Sequence, residues 1–420
     1  MRSPHVVIHF ERVRRQSSDA WKGSLATPQN NKFIWLDFVR GLSAIAVCAS
    51  HLRAALVVDY TRLAHATLFQ RAFYLATGLG HQAVMVFFVL SGFFVGGSVL
   101  RSGERFRPGN YAIARLSRLW IVLVPALLLT AVIDHFIARV APGVLAGSFE
   151  PVWHSGPVSA AGYSASPLDF LANLVFLQTI VAPVFGTNGP LWSLANEFWY
   201  YVLFPLCAMT LGWALPKPSG ARIALRIVLG ALALGLLWLL PAGIVDAYPI
   251  WLLGLVAYFL AGRLATTGRR IALAAGLAAF AASLAYSKAV GLQDSLGVSS
   301  DLVIGVAFCL LCVALANMPA PRNPHSLFVR ASRHMSAFSY SLYLVHFPLV
   351  AWIGASLYGA NRMAPDIRGL AQFAAWLLVL LAAGVVFWWL FERQTDALRH
   401  AVTRWVKRDR VATGTLPTQT

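Results

Sequence analysis

The sequence predicts an all-α fold, a polytopic transmembrane helical bundle of about ten spans. Three observations carry that prediction. Of 420 residues, 58% are hydrophobic and only 12% are charged, whereas a soluble domain is about a quarter charged. The apolar residues come in long blocks, each close to the roughly 17–25 residues that cross a bilayer as a helix. The basic residues cluster in alternate loops between those blocks. Hydrocarbon offers no partner to backbone N–H and C=O groups, so blocks of this length are read as helices.

In chain order the spans are expected near 35–57, 82–100, 119–138, 196–214, 222–240, 249–265, 270–287, 301–317, 336–357 and 369–391. A further apolar stretch, 168–182, is short. It is either a re-entrant or interfacial helix, or an eleventh span that would move the C-terminus to the other side. Charge favours the even count. With the N-terminus inside and ten spans, and residues at span ends counted to their nearer side, 26 of the 34 basic residues fall inside and seven outside, with Arg40 counted to neither. A formal net charge of +18 would suit a nucleic-acid partner, but the alternation is the pattern of the positive-inside rule. No nucleic-acid partner is expected.

The chain therefore divides into a flexible basic tail over 1–33, a membrane domain over 34–393 and a second basic tail over 394–420, both tails on the cytoplasmic side. The first segment has no apolar run beside a cleavage site and does not read as a signal peptide. Cys48, Cys207, Cys309 and Cys312 all lie in apolar spans. Cys309 and Cys312 have C-x-x-C spacing without a second ligand pair, so the four read as small core residues and no metal site is expected. No internal repeat and no glycine-rich phosphate loop are present.

Ionisable groups within spans are costly and mark candidate sites. The first span holds Asp37, Arg40 and His51. Arg40 and His51 are eleven residues apart, so they share a helical face about 16 Å apart along the axis. Asp37 stands at i, i+3 to Arg40, and a simple ion pair at the interface is one reading of it. Arg115 and Arg118 share a face where the third span begins; they read as topology anchors or as a site for a phosphorylated ligand. Glu197 enters a strongly aromatic span, following Trp192 and Ser193 in the run Gly189–Tyr201. His346 lies mid-span two residues before Pro348, where it is either a structural histidine bonded to a neighbouring helix or part of a site.

Taken in order, these residues resemble the membrane-bound acyltransferase family 3, bacterial O-acetyltransferases that act on lipopolysaccharide and exopolysaccharide sugars. The resemblance runs over residues 34–393. It rests on Leu36-Asp37-Phe38-Val39-Arg40-Gly41 with His51 eleven after the arginine, on Phe87-Phe88-Val89-Leu90-Ser91-Gly92-Phe93, on Arg115-x-x-Arg118 followed by Pro125, on Trp192-Ser193-Leu194-x-x-Glu197, and on Ser339-Tyr340-Ser341-Leu342-Tyr343-Leu344-x-His346-x-Pro348. Two departures stand out. Met85 replaces an acidic residue that often precedes the Phe-Phe pair, and Phe391-Glu392-Arg393-Gln394 lacks the usual proline after the glutamate.

The resemblance implies transfer of an acyl group, by default acetyl, from cytoplasmic acyl-CoA to a hydroxyl of a carbohydrate or glycolipid in the bacterial inner membrane. It implies functional roles for Arg40, His51, Arg115, Arg118 and Glu197. Acyl transfer needs a base for the acceptor hydroxyl and donors for the thioester oxyanion. His51 suits the base, since an imidazole titrates near neutral pH. Glu197 either orients that imidazole or holds the acceptor. Arg115 and Arg118 would bind CoA phosphates, with Arg40 contacting the CoA moiety. Asp37, Trp192, Ser193 and His346 are substrate-binding or structural. The competing class is a transporter or flippase, since buried charge also lines transport pathways. Such folds often carry two related halves, and none is visible here.

Overall fold

The computed structural model describes residues 31–158, 163–214, 220–290, 297–359 and 361–412. The described residues form helices joined by loops, with two isolated β-bridges and no strand. The helices are α1 (Ile34–Leu56), α2 (Leu68–Thr77), α3 (Gly80–Arg105), α4 (Pro108–Val140), α5 (Pro167–Leu174), α6 (Leu191–Thr210), α7 (Gly220–Leu239), α8 (Tyr248–Leu260), α9 (Thr266–Val290), α10 (Gly297–Ala316), α11 (Leu327–Ile353), α12 (Ile367–Leu390) and α13 (Thr395–Ala412).

Among the described residues, eight helices are long and apolar enough to cross a membrane. The other two expected spans, 196–214 and 301–317, coincide with α6 and α10, each of 20 residues. At 1.5 Å per residue each reaches about 30 Å, the thickness of a hydrocarbon core. α6 falls short on composition because its first turns carry Ser193, Asn196 and Glu197, which face the protein interior and not lipid. The stretch 168–182 does not span. Its helix, α5, has eight residues, about 12 Å, and ends in turns at 176–182. The protein is a multi-pass membrane protein.

The expected N-terminal tail lies outside the described residues except for Asn31–Phe33, a 3-10 turn leading into α1. The C-terminal segment was expected as a basic tail over 394–420. Within it Thr395–Ala412 is helical, and 413–420 lie outside the described residues. A pattern with basic residues spaced around Leu398, Val402 and Trp405 is amphipathic, and packing against α4 gives it a surface to fold on.

Two close helix contacts set the geometry of the site. α1 and α11 pack side by side and run parallel. A Cβ on Gly41 would stand 2.4 Å from the Met335 Cβ, so the contact requires a residue with no side chain. About ten residues further along both helices, the rings of His51 and His346 meet. α3 and α8 are equally close. A Cβ on Gly92 would stand 1.9 Å from the Trp251 carbonyl oxygen, and one on Gly254 would stand 2.1 Å from that of Val89. α3 opens into a π turn over Gly92–Gly96 at this contact, the local widening that π bulges allow.

Candidate active site

A cavity of about 350 Å3 runs into the bundle from the end where α1 begins and α12 finishes. Its mouth is cationic, with Arg115 and Arg118 from α4 and Arg399 from α13. Its walls are apolar, chiefly Val84, Phe87, Phe88 and Leu119. Its deeper polar groups are Arg40, Glu197, Tyr201, Ser193 and Tyr343.

Each of these side chains is held by an identifiable partner. Arg40 donates to Asp37 Oδ1 at 3.0 Å and lies over the Phe94 ring, 4.6 Å from its centroid. Asp37 Oδ1 also accepts from the Ser336 hydroxyl at 3.0 Å, so the carboxylate links α1 to α11 while aiming Arg40 at the cavity. Arg118 stands 3.7 Å from Glu392. Glu392 is buried at 6% exposure and accepts from both the Ser341 amide (3.1 Å) and the Ser341 hydroxyl (2.7 Å). Glu197 accepts from the Tyr201 hydroxyl. Tyr201 in turn accepts from Ser91, and Ser91 from the Trp251 indole, at 3.3 and 3.0 Å. Arg115 lies against the Tyr111 ring, 5.7 Å from its centroid. Its Nε is buried with no hydrogen-bond partner among the described residues. A buried donor without a partner is costly, and one on a cavity wall is placed for an incoming acceptor.

The inner end of the cavity is the Ser193–Tyr343 hydroxyl pair, 2.5 Å apart. One helical turn further along α11 is His346, fully buried. Its Nδ1 is 2.8 Å from the Tyr343 carbonyl and 3.1 Å from that of Leu342. Carbonyls only accept, so this network places the proton on Nδ1 and the lone pair on Nε2. Nε2 is buried without a partner among the described residues. The His51 ring lies beside it, with centroids 5.3 Å apart. His51 Nδ1 is 3.0 Å from the Ser155 hydroxyl. His154 (φ 52°) and Gly156 (φ 93°) are both left-handed, which turns the chain so that Ser155 reaches the imidazole.

Arg362 fastens that loop. Its Nη1 donates to the carbonyls of Ala54, Val57 and Val152 at 3.2–3.3 Å. Its two nitrogens also grip Asp59, at 3.0 and 2.5 Å. The end of α1 and the loop before Ser155 therefore share one guanidinium. Partial burial pushes the Asp59 carboxyl up, but the hydrogen bond and charge of Arg362 outweigh it, and the group sits below the usual aspartate range.

A family model, the acyltransferase domain of family 3, matches residues 33–393. The chain belongs to acyltransferase family 3. No match was found among curated proteins or among solved structures. With its apolar helices, this family 3 protein is a membrane acyltransferase.

The acyltransferase brings the expected residues together in two groups. Arg40, Arg115, Arg118, Glu197 and Ser193 line one cavity, with Asp37 behind Arg40. His51 and His346 form the second group. Trp192 is in neither. Its ring stacks on His81 at 6.5 Å, and His81 pairs with Asp301 at 2.8 Å. One expectation needs correcting. Glu197 was a candidate to orient the His51 imidazole, yet it is bonded by Tyr201, and the hydroxyl at His51 Nδ1 belongs to Ser155. Glu197 lies one helical turn beyond Ser193 on the face of α6 that lines the cavity, where Tyr201 holds its carboxylate. Met85, in the usual acidic position, is buried among apolar side chains.

Sequence reasoning missed Ser155, Tyr343 as a cavity residue, Glu392 and Arg399. Tyr343 lay within a quoted motif, and Glu392 was visible as a carboxylate at the end of an apolar span. Ser155 has no local signal, because its role depends on a loop folding back onto α1.

Proposed function

We propose that this membrane acyltransferase moves an acyl group, acetyl by family default, from acyl-CoA to a hydroxyl of a cell-surface or exported carbohydrate. The observation that carries the reading is the cavity itself, cationic at its mouth and apolar along its walls. It ends at a hydroxyl pair one helical turn from two histidines. That sequence of environments matches a CoA thioester laid lengthwise. Phosphates suit the Arg115 and Arg118 guanidiniums, the pantetheine arm suits the narrow apolar walls, and the thioester lies at the inner end.

In this reading the acceptor hydroxyl approaches from the side of the Ser155 loop. His51 takes its proton as the oxygen attacks the thioester carbonyl carbon. The oxyanion that forms is met by a hydroxyl of the Ser193–Tyr343 pair, which turns to it from the Pro190 carbonyl that the two hydroxyls reach at 3.1 and 3.2 Å, in a water-poor site. Collapse breaks the carbon–sulfur bond, and the proton on His51 passes to the departing thiolate. Glu197 and Arg40 hold the polar parts of the arm. The unpartnered Nε2 of His346 receives a hydrogen bond from the acceptor and fixes its orientation. The basic alternation supports a bacterial inner-membrane protein with both termini cytoplasmic. The donor then enters from the cytoplasm, and the sugar is met from the other face.

The test is mass spectrometry of surface glycans from cells carrying the wild-type protein, the His51→Ala protein or neither. A sugar that gains acyl mass only with wild type is the expected result. Identical glycans in all three, together with no acyl-CoA turnover by the purified protein, would overturn the reading.

A further inference from the structure

We infer that α13, which begins beyond the family match, completes the donor site, and that Arg399 binds a phosphate at the nucleotide end of acyl-CoA. The inference rests on the acyl-CoA reading above. The family match ends at residue 393, yet Thr395, Asp396 and Arg399 line the cavity together with Arg115 and Arg118.

The helix is placed there by the site's own anchors. α12 ends in a 3-10 turn, Glu392–Gln394, and Glu392 is pinned to Ser341 on α11 while facing Arg118. The Thr395 hydroxyl donates to the Glu392 carbonyl at 2.5 Å. From that fixed start α13 packs along α4, the helix that carries Arg115 and Arg118. One carboxylate therefore sets both Arg118 and the helix bearing Arg399.

The state of Arg399 suits an exchangeable phosphate ligand. It pairs with Asp396 at 3.2 Å, but the two side chains are 43% and 77% exposed. Exposed pairs of this kind contribute little, so a multiply charged phosphate displaces Asp396 readily. A guanidinium presents two parallel donors to a phosphate, which a carboxylate neighbour at the helix surface does not exhaust. The thioester must lie at the inner end of the cavity, so the phosphates of the same molecule fall at the mouth, where Arg399 is.

The same chemistry would suit an anionic lipid headgroup, and the experiment separates the two. Binding of CoA, 3′-dephospho-CoA and pantetheine is measured on the full-length protein in neutral phosphatidylcholine nanodiscs and in nanodiscs containing phosphatidylglycerol. Wild type, Arg399→Ala and Asp396→Asn are compared. Arg399→Ala is expected to weaken CoA about tenfold in both lipids. It should leave pantetheine unchanged, which also shows that the variant is folded. Asp396→Asn is expected to bind CoA at least as tightly as wild type. Equal CoA binding by wild type and Arg399→Ala, or a loss confined to anionic nanodiscs, would overturn the inference while leaving the acyl-CoA reading intact. Failure of wild type to bind CoA at all would remove the reading beneath it. A dephospho-CoA affinity equal to that of CoA in wild type, with the Arg399→Ala loss unchanged, assigns the contact to the pyrophosphate rather than the 3′-phosphate and supports the inference.

Discussion

His51 on α1 and His346 on α11 lie with ring centroids 5.3 Å apart, and His346, one helical turn beyond the cavity residue Tyr343, has a buried Nε2 with no partner among the described residues. The pair stands between the Tyr343 end of the cavity and the loop that carries Ser155.

Replacing either histidine should therefore reduce turnover without emptying the cavity. His51→Ala is expected to lower kcat by about 10²–10⁴, the usual loss for a general base. His346→Ala should lower kcat less, because it orients and does not carry the proton. Acyl-CoA binding to both variants, followed by calorimetry or filter binding, should match wild type. A His51→Ala enzyme with unchanged kcat would sink the assignment.

Arg115→Ala should act on the other half of the site. Losing a charge-assisted contact of about 1.5–3 kcal/mol corresponds to roughly a 10- to 100-fold rise in the acyl-CoA KM, with kcat little changed. Glu392→Gln should raise the same KM more modestly. It keeps a carbonyl for Ser341 but loses the charge that holds Arg118. Steady-state kinetics with varied acyl-CoA distinguish these outcomes from a general loss of folded protein.

The Arg362–Asp59 clasp makes stability pH-dependent in a defined direction. The Asp59 carboxyl is depressed in the folded protein. Its contribution is thus full above the unfolded aspartate pKa of about 3.9 and is lost as pH falls through the lower folded value. Asp59→Asn lacks that contribution at every pH. The Tm gap between wild type and Asp59→Asn should hold steady from neutral pH down to about 5 and close in stronger acid. A gap that widens on acidification would contradict the pairing.

Gly254→Val should lower stability wherever activity is assayed. Its Cβ would stand 2.1 Å from the Val89 carbonyl oxygen and 2.4 Å from the Phe93 amide. Both are backbone atoms that cannot rotate away. Overpacking costs about 1–3 kcal/mol, read as a lower Tm in detergent. Gly235→Val, with nothing nearby, is the control and should leave Tm unchanged.

The helical spans were legible in the sequence, because a bilayer acts on each segment separately. Span length and exclusion of charge are local demands, and α1, α3 and α12 meet them within a few residues of expectation. Arg40, Arg115, Arg118, Glu197 and His51 were also legible, as polar groups where polarity is expensive. Their grouping was not. Whether His51 meets Glu197, His346 or Ser155 depends on which helices touch and at what height, and that is set by backbone contacts at Gly41, Gly92 and Gly254. A glycine in an apolar run has the same local appearance whether it lies against lipid or against another backbone. Only the packed structure distinguishes the two. It places the histidine pair beside the Ser155 loop, brings Arg399 to the cavity mouth, and makes Glu392, at the end of the last span, the anchor for Arg118 and for the helix bearing Arg399.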